Sequence, residues 1–253
     1  MKIDLHGKLA VVTGGSGQLG RVICRALANC GASVAVNYIR NQKMAEQVAG
    51  EVRERGGRSL AIQADVTDKS AILSMKARIE AELGVPDIIV TNAVIQYAWT
   101  QVLEQNVADY ESQFRSCVLH NVLMAQAFVP AMVERKRGRV IAINTECAMQ
   151  NFPNQSAYVA GKRGMDGVLR VLAREVGEHQ ITVNQVAPGW VVSHDVPDGN
   201  SEAERGYKSK VPMKRRGTDQ DVANLVAFLA SDLAQFISGQ YISVSGGNVM
   251  PAI

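Results

Sequence analysis

A chain of 253 residues, 47% hydrophobic and 20% charged, suits one soluble domain with a large core, read here as residues 1–253, and leaves little room for a second. Its 27 Lys and Arg against 24 Asp and Glu leave a net charge of +3, too small and too dispersed to point to nucleic acid or an anionic membrane. Cys24, Cys30, Cys117 and Cys147 lack paired metal spacing and read as reduced thiols, and no run approaches the roughly 20 apolar residues of a membrane span, so a cytoplasmic protein without a metal is expected.

In chain order, short runs rich in Val and Ile alternate with longer stretches of helical period. The strands are expected at KLAVVT, SVAVNY, SLAIQA, DIIVTN, RVIAIN, ITVNQVA and QYISVS. Between the first of them lie helices at QLGRVICRALANCG, NQKMAEQVAGEVRERGG and TDKSAILSMKARIEAELG, with Gly31, Gly56 and Gly84 placed as C-terminal caps. Such alternation predicts a Rossmann-type, doubly wound parallel α/β sheet of about seven strands with helices on both faces.

The first strand runs straight into TGGSGQLG and then a helix. Gly15, Gly17 and Gly20 form G-x-G-x-x-G, which permits the turn, the approach of backbone to a pyrophosphate and close helix-strand packing. Gly14, Ser16, Gln18 and Leu19 complete the loop and are expected at the cofactor. An acid at the end of the second strand would bind the ribose of NAD. Asn37 and Tyr38 stand there instead and Arg40 follows, so NADP(H) is favoured over NAD(H); otherwise Arg40 is a solvated helix-start residue. Asp65, followed by Val66, ends the third strand and is expected either at the adenine amino group or as a turn residue.

Further along, Asn92 and Ala93 follow the fourth strand. Tyr158 and Lys162, four residues apart, share one helix face, where the ammonium should lower the phenol's pKa from about 10 and make it a usable acid or base. Pro188, Gly189, Val191 and Ser193 follow the sixth strand, where doubly wound sheets bind ligands. Residues 193–217 form the least regular stretch and read as a mobile lid or substrate loop, or as disorder. His194 within it would line a substrate pocket or be a solvated loop histidine. Basic clusters stand at 134–139 and 214–216, and the first complements a helix C-terminus rather than nucleic acid.

Taken in order, these motifs resemble the short-chain dehydrogenase/reductase family over nearly the whole chain. The chain is most similar to the single-domain bacterial branch with 3-oxoacyl-carrier-protein reductases and glucose dehydrogenases. The resemblance implies hydride transfer between a nicotinamide and a carbonyl or secondary alcohol, with Tyr158 as acid or base and Lys162 also on the nicotinamide ribose. Thr145, thirteen residues before Tyr158, stands at the family's serine and keeps its hydroxyl. Glu146 replaces a small residue and would meet a polar or cationic substrate group, or solvent. Cys117 falls where an asparagine helps hold a relay water, Val94 replaces a glycine beside the nicotinamide, and Gln18 replaces a middle glycine. A homotetramer or dimer is implied through helices such as the one bearing Tyr158.

The reading is therefore an NADP-preferring oxidoreductase acting on a 3-oxoacyl thioester or small ketone. Two alternatives stay open: an NAD-linked sugar or polyol dehydrogenase, and a cofactor-binding sensor or interaction protein with weak turnover.

Overall fold

The Val- and Ile-rich runs can pair side by side only if helices cover both faces, and seven strands pair in this way. The structure, a computed structural model, describes residues 2–193 and 197–250. Its strands are β1 Leu9–Val12, β2 Ser33–Tyr38, β3 Ser59–Gln63, β4 Ile88–Thr91, β5 Gly138–Ile143, β6 Ile181–Pro188 and β7 Tyr241–Val244. They form one parallel sheet in the order β3-β2-β1-β4-β5-β6-β7. Every residue of β1, β4, β5 and β6 is buried, which is why these strands show no polar alternation.

Helices α1 Gln18–Asn29, α2 Gln42–Glu54 and α9 Asp219–Ala230 cover one face, where Leu27, Val48 and Val226 join the core. On the other face lie α3 Lys69–Glu82, α5 His120–Arg135 and α7 Ser156–Val176, which bring Ile79, Met124 and Leu169 against the sheet. Gly31, Gly56 and Gly84 take φ of 97°, 86° and 106°, the left-handed conformation expected where those first three helices end. The chain leaves β3 at one edge and returns to β4 beside β1. This reversal opens a crevice at the carboxyl ends of β1 and β4, and the functional residues gather around it.

Two local features differ from the sequence reading. Helix α4 Val107–Gln113 runs through a π-helical turn, Phe114–Leu119, into α5, so residues Val107–Arg135 form one helix long and apolar enough to cross a membrane. Of its most apolar window, 56% is buried inside the fold, as in the core helix of a soluble protein. Residues 197–217 are also less irregular than their polar composition suggests. They hold helix α8 Glu202–Lys210, started by a capping box in which Ser201 and Glu204 satisfy each other's backbone N–H groups. No residue of α8 is fully buried, so it lacks the apolar stripe that marks a helix in sequence.

Candidate active site

Strand β1 ends against β4 and delivers the chain into the glycine loop. Gly14 takes φ +62° and donates its N–H to Asn37 Oδ1 at 3.2 Å, while the Gly15 N–H donates to the Asn37 carbonyl at 2.7 Å. A Cβ on Gly20 would collide with the Gly14 carbonyl oxygen and stand 2.9 Å from Asn92 Nδ2. Only glycine lets α1 begin this close to the strand. The N-cap of α1, Gly17, makes no side-chain capping bond, so the helix N-terminus offers its N–H groups to the cleft. A bare helix start and a cradle that a Cβ would fill both fit a pyrophosphate.

The cleft of about 630 Å³ is lined by Gly14, Ser16, Gly17, Gln18 and Leu19 on one side and by Asn92, Ala93, Pro188, Gly189 and Val191 on the other. Tyr158 and Lys162 close its inner end. Asn37 and Tyr38 do not reach it. Asn37 is buried behind the glycine loop and donates to the Ile62 and Ala64 carbonyls, and Tyr38 packs in the core. Ile39, half exposed, lines the cleft in their place, and Arg40 stands exposed next to it. The Asp65 carboxylate accepts from the Thr67 amide and hydroxyl at 2.8 Å each, the geometry of a turn residue. Val66 is buried in the second core cluster, and Ser193 is buried outside the cleft lining. His194 lies outside the described residues. Val94 lines the same cleft.

Thr145 is held on several sides. Its N–H donates to Asn144 Oδ1 at 2.9 Å, its carbonyl accepts from Tyr241, and its hydroxyl accepts the Cys147 N–H at 3.2 Å. The hydroxyl proton therefore points away from its own backbone and can be donated to a ligand oxygen. Lys162 Nζ lies 5.8 Å from the centroid of the Tyr158 ring and donates to the Ile143 carbonyl at 2.5 Å. The Tyr158 N–H donates to Tyr97 at 2.8 Å, which fixes the start of α7.

The electrostatics differ from the expectation. Tyr158 faces the cavity, yet protein surrounds its phenol on most sides, and this burial pushes its pKa well above the ordinary tyrosine value. The neighbouring Cys147 and Cys117 thiols push the same way, and a hydrogen bond with Thr145 only partly opposes them. Burial also lowers the pKa of Lys162, whose ammonium is turned to the Ile143 carbonyl. Spacing on a helix brings the two side chains together, but burial sets the direction in which the phenol's pKa moves.

Behind Lys162, the Cys117 thiol is buried and its carbonyl accepts from Asn121 Nδ2 at 2.6 Å, while Asn121 Oδ1 accepts from Thr91 at 2.6 Å. This asparagine, one turn after Cys117, thus occupies the Cys117 carbonyl from within the helix. An amide four residues downstream was the sequence signal for it.

A second cavity of about 1140 Å³ opens beside Tyr158. Its floor includes Thr145 and Glu146 and its lid is α8. Glu146 does not point to solvent: it is 4% exposed, accepts from Tyr207 Oη at 2.9 Å and from Asn248 at 3.0 Å, and burial raises its pKa. Tyr207 Oη in turn accepts the Trp190 N–H at 2.9 Å, so one hydroxyl ties α8 to the ends of both β5 and β6. Arg216 anchors the same lid by donating to Glu204 at 2.9 Å and to the Val191 carbonyl at 2.8 Å. Tyr207→Phe is expected to raise amide hydrogen exchange across α8 by about tenfold, because a hydrogen bond to a charged group contributes about 1.5–3 kcal/mol. Unchanged exchange in α8 would show that Tyr207 does not hold the lid. Residues 193–217 were expected from sequence as a lid or substrate loop, but neither the helix within that stretch nor the aromatic lining of this cavity was assigned.

Comparison with known proteins agrees with this architecture. A family model described as enoyl-(acyl carrier protein) reductase matches residues 16–248. The chain is 36% identical to the 3-oxoacyl-acyl-carrier-protein reductase FabG of Staphylococcus aureus, over 96% of this chain and 98% of that one. It is 33% identical to nodulation protein G of Azospirillum brasilense, over 95% and 97%. Among solved structures it superposes on a 7α-hydroxysteroid dehydrogenase complexed with NADH and 7-oxo glycochenodeoxycholic acid, with a TM-score of 0.91, 29% identity and coverage of 99% and 97%. A Serratia marcescens short-chain dehydrogenase/reductase variant gives a TM-score of 0.89 at 32% identity, with coverage of 96% and 98%.

Proposed function

Because the chain belongs to the short-chain dehydrogenase/reductase family, whose members are NAD(P)-dependent oxidoreductases of carbonyl and CH-OH groups, we propose that it is an NADP-preferring reductase of a ketone or 3-oxoacyl thioester. One observation carries the reading: Thr145 and Tyr158 line both cavities and so stand at the seam between the cofactor cleft and the second cavity. A substrate carbonyl at that seam would meet two hydroxyl donors beside the cleft that would hold the cofactor.

A bound reduced nicotinamide supplies the hydride to the carbonyl carbon. The protein does the rest. Thr145 donates its hydroxyl proton in a hydrogen bond to the carbonyl oxygen and fixes its position. Tyr158 gives its proton to the same oxygen as negative charge develops there. Lys162 would hold the nicotinamide ribose, and the glycine loop with the start of α1 would hold the pyrophosphate.

The preference for NADP rests on the end of β2, where no carboxylate stands and Arg40 is exposed beside the cleft residue Ile39. Arg40→Ala is expected to weaken NADPH about tenfold or more through loss of a charge-assisted contact, and to leave NADH affinity within about twofold. Equal weakening of both, measured by titration, would remove this assignment and favour the NAD-linked sugar or polyol reading.

The proposed protein is cytoplasmic and acts on a small molecule, not on nucleic acid or membrane. A homotetramer or dimer is supported by the groove beside α7, where Phe114 and Leu119 lie open next to Gly161. The deciding assay is loss of NADPH absorbance with diketones and 3-oxoacyl thioesters. Tight NADPH binding with no turnover on any carbonyl would assign the chain to the sensor class instead.

A further inference from the structure

Aromatic residues are scarce in this chain and unevenly placed. Of two tryptophans, six tyrosines and five phenylalanines, both tryptophans, three tyrosines and one phenylalanine line the single cavity beside Tyr158. They come from the loop after β4, the turn before α7, the first turn of α7, the end of β6 and the lid helix α8. Trp99, Phe152 and Trp190 remain 46%, 45% and 39% exposed, so they are not core residues covered by their neighbours.

Their ring planes are set. Trp99 stacks beside Tyr158 with centroids 5.9 Å apart and planes 26° from parallel, so the reacting phenol fixes the orientation of the indole. Trp190 is clamped by the Arg216 guanidinium 4.3 Å from its ring and by the edge of Tyr207 at 5.5 Å. Walls fixed in this way lose little freedom when a ligand packs against them. Flat aromatic faces favour stacked or edge contacts with other rings, a gain that a flexible saturated chain does not return.

Size and charge narrow the ligand further. The cavity, at about 1140 Å³, is larger than the roughly 300–1,000 Å³ typical of ligand pockets, and a small ketone would leave most of it to water. The buried carboxylate on its floor, Glu146, is already matched by Tyr207 and Asn248, and so presents no free charge for a cationic group. Lys210 and Glu202 on the lid carry opposite signs.

We propose that the substrate is a ketone, or the matching secondary alcohol, attached to an uncharged, planar body of two or more fused rings that lies between Trp99, Phe152 and Trp190. This rests on the hydride-transfer reading above and selects within its carbonyl class. The reaction balances as before: hydride adds to the carbonyl carbon, the Tyr158 proton adds to the oxygen, and NADPH leaves as NADP⁺.

The test compares 2-acetylnaphthalene, a linear 3-oxoacyl N-acetylcysteamine thioester and 2,3-butanedione, by NADPH turnover and by quenching of tryptophan fluorescence. The fused-ring ketone is expected to exceed the linear thioester at least about tenfold in kcat/KM. Trp99→Leu and Phe152→Leu, which keep apolar bulk and remove the flat face, should lower that ratio by about fivefold or more. A linear thioester turned over as well as the aryl ketone, or leucine variants that leave the ratio unchanged, would overturn the proposal. Quenching by the aryl ketone without turnover of any carbonyl would keep the ring-binding cavity and overturn the hydride-transfer reading. Turnover of the thioester without quenching by the aryl ketone would do the reverse.

Discussion

Replacing Tyr158 by Phe is expected to lower reductive turnover by a factor of about 10² to 10⁴, the usual contribution of a positioned general acid, with NADPH affinity nearly unchanged. Phenylalanine keeps the ring that stacks beside Trp99 and removes only the proton donor. Thr145 would still hold the substrate oxygen, which is why some turnover should remain. The pH profile gives a second measurement. An acid must be protonated to act, and burial raises the Tyr158 pKa, so alkaline loss of reductive activity should lie above pH ~10, where an ordinary tyrosine titrates. A fall in kcat near neutral pH, absent from the Phe variant, would instead mean that Lys162 or the cofactor lowers the phenol's pKa below the value set by burial.

Gly20→Ala should be the most damaging change in the cofactor cleft. The added methyl would collide with the Gly14 carbonyl oxygen and press on Asn92 Nδ2 at 2.9 Å, and neither can retreat freely. Gly14 is held by Asn37, while Asn92 also donates to the Thr13 carbonyl at 3.0 Å. Overpacking of this kind costs about 1–3 kcal/mol, which in a chain of this length lowers Tm by about 2–4 °C per kcal/mol. Because the strain falls on the loop that would cradle the pyrophosphate, NADPH affinity should drop about tenfold or more. Gly50→Ala in α2 is the control. Its Cβ would meet nothing closer than 3.9 Å, and a helix-interior Gly to Ala change is expected to stabilise by about 0.5–1 kcal/mol. If both variants bind NADPH like the wild type, the close approach at Gly20 does not shape the cofactor site.

What could be read before the fold was known is what depends on neighbours along the chain. Runs such as LAVV and GRVIAI declare buried parallel strands because every residue in them is apolar or buried at a strand end, and the left-handed glycines mark where helices stop. The glycine loop is legible because its glycines act within one strand-turn-helix unit, and Tyr158 with Lys162 because four residues make one helical turn. Tertiary structure decided the rest. It turned Asn37 behind the loop instead of into the cleft, set Asn121 on the Cys117 carbonyl, and used Glu146 to hold the lid. It raised the phenol's pKa, which spacing on a helix had suggested would fall, because desolvation depends on everything packed around the group. It also gathered six aromatic rings from across residues 97–207 around one cavity. Periodicity and turn chemistry are local and can be read along the chain, whereas burial and convergence depend on which distant segments meet, and that exists only once the sheet has closed its order.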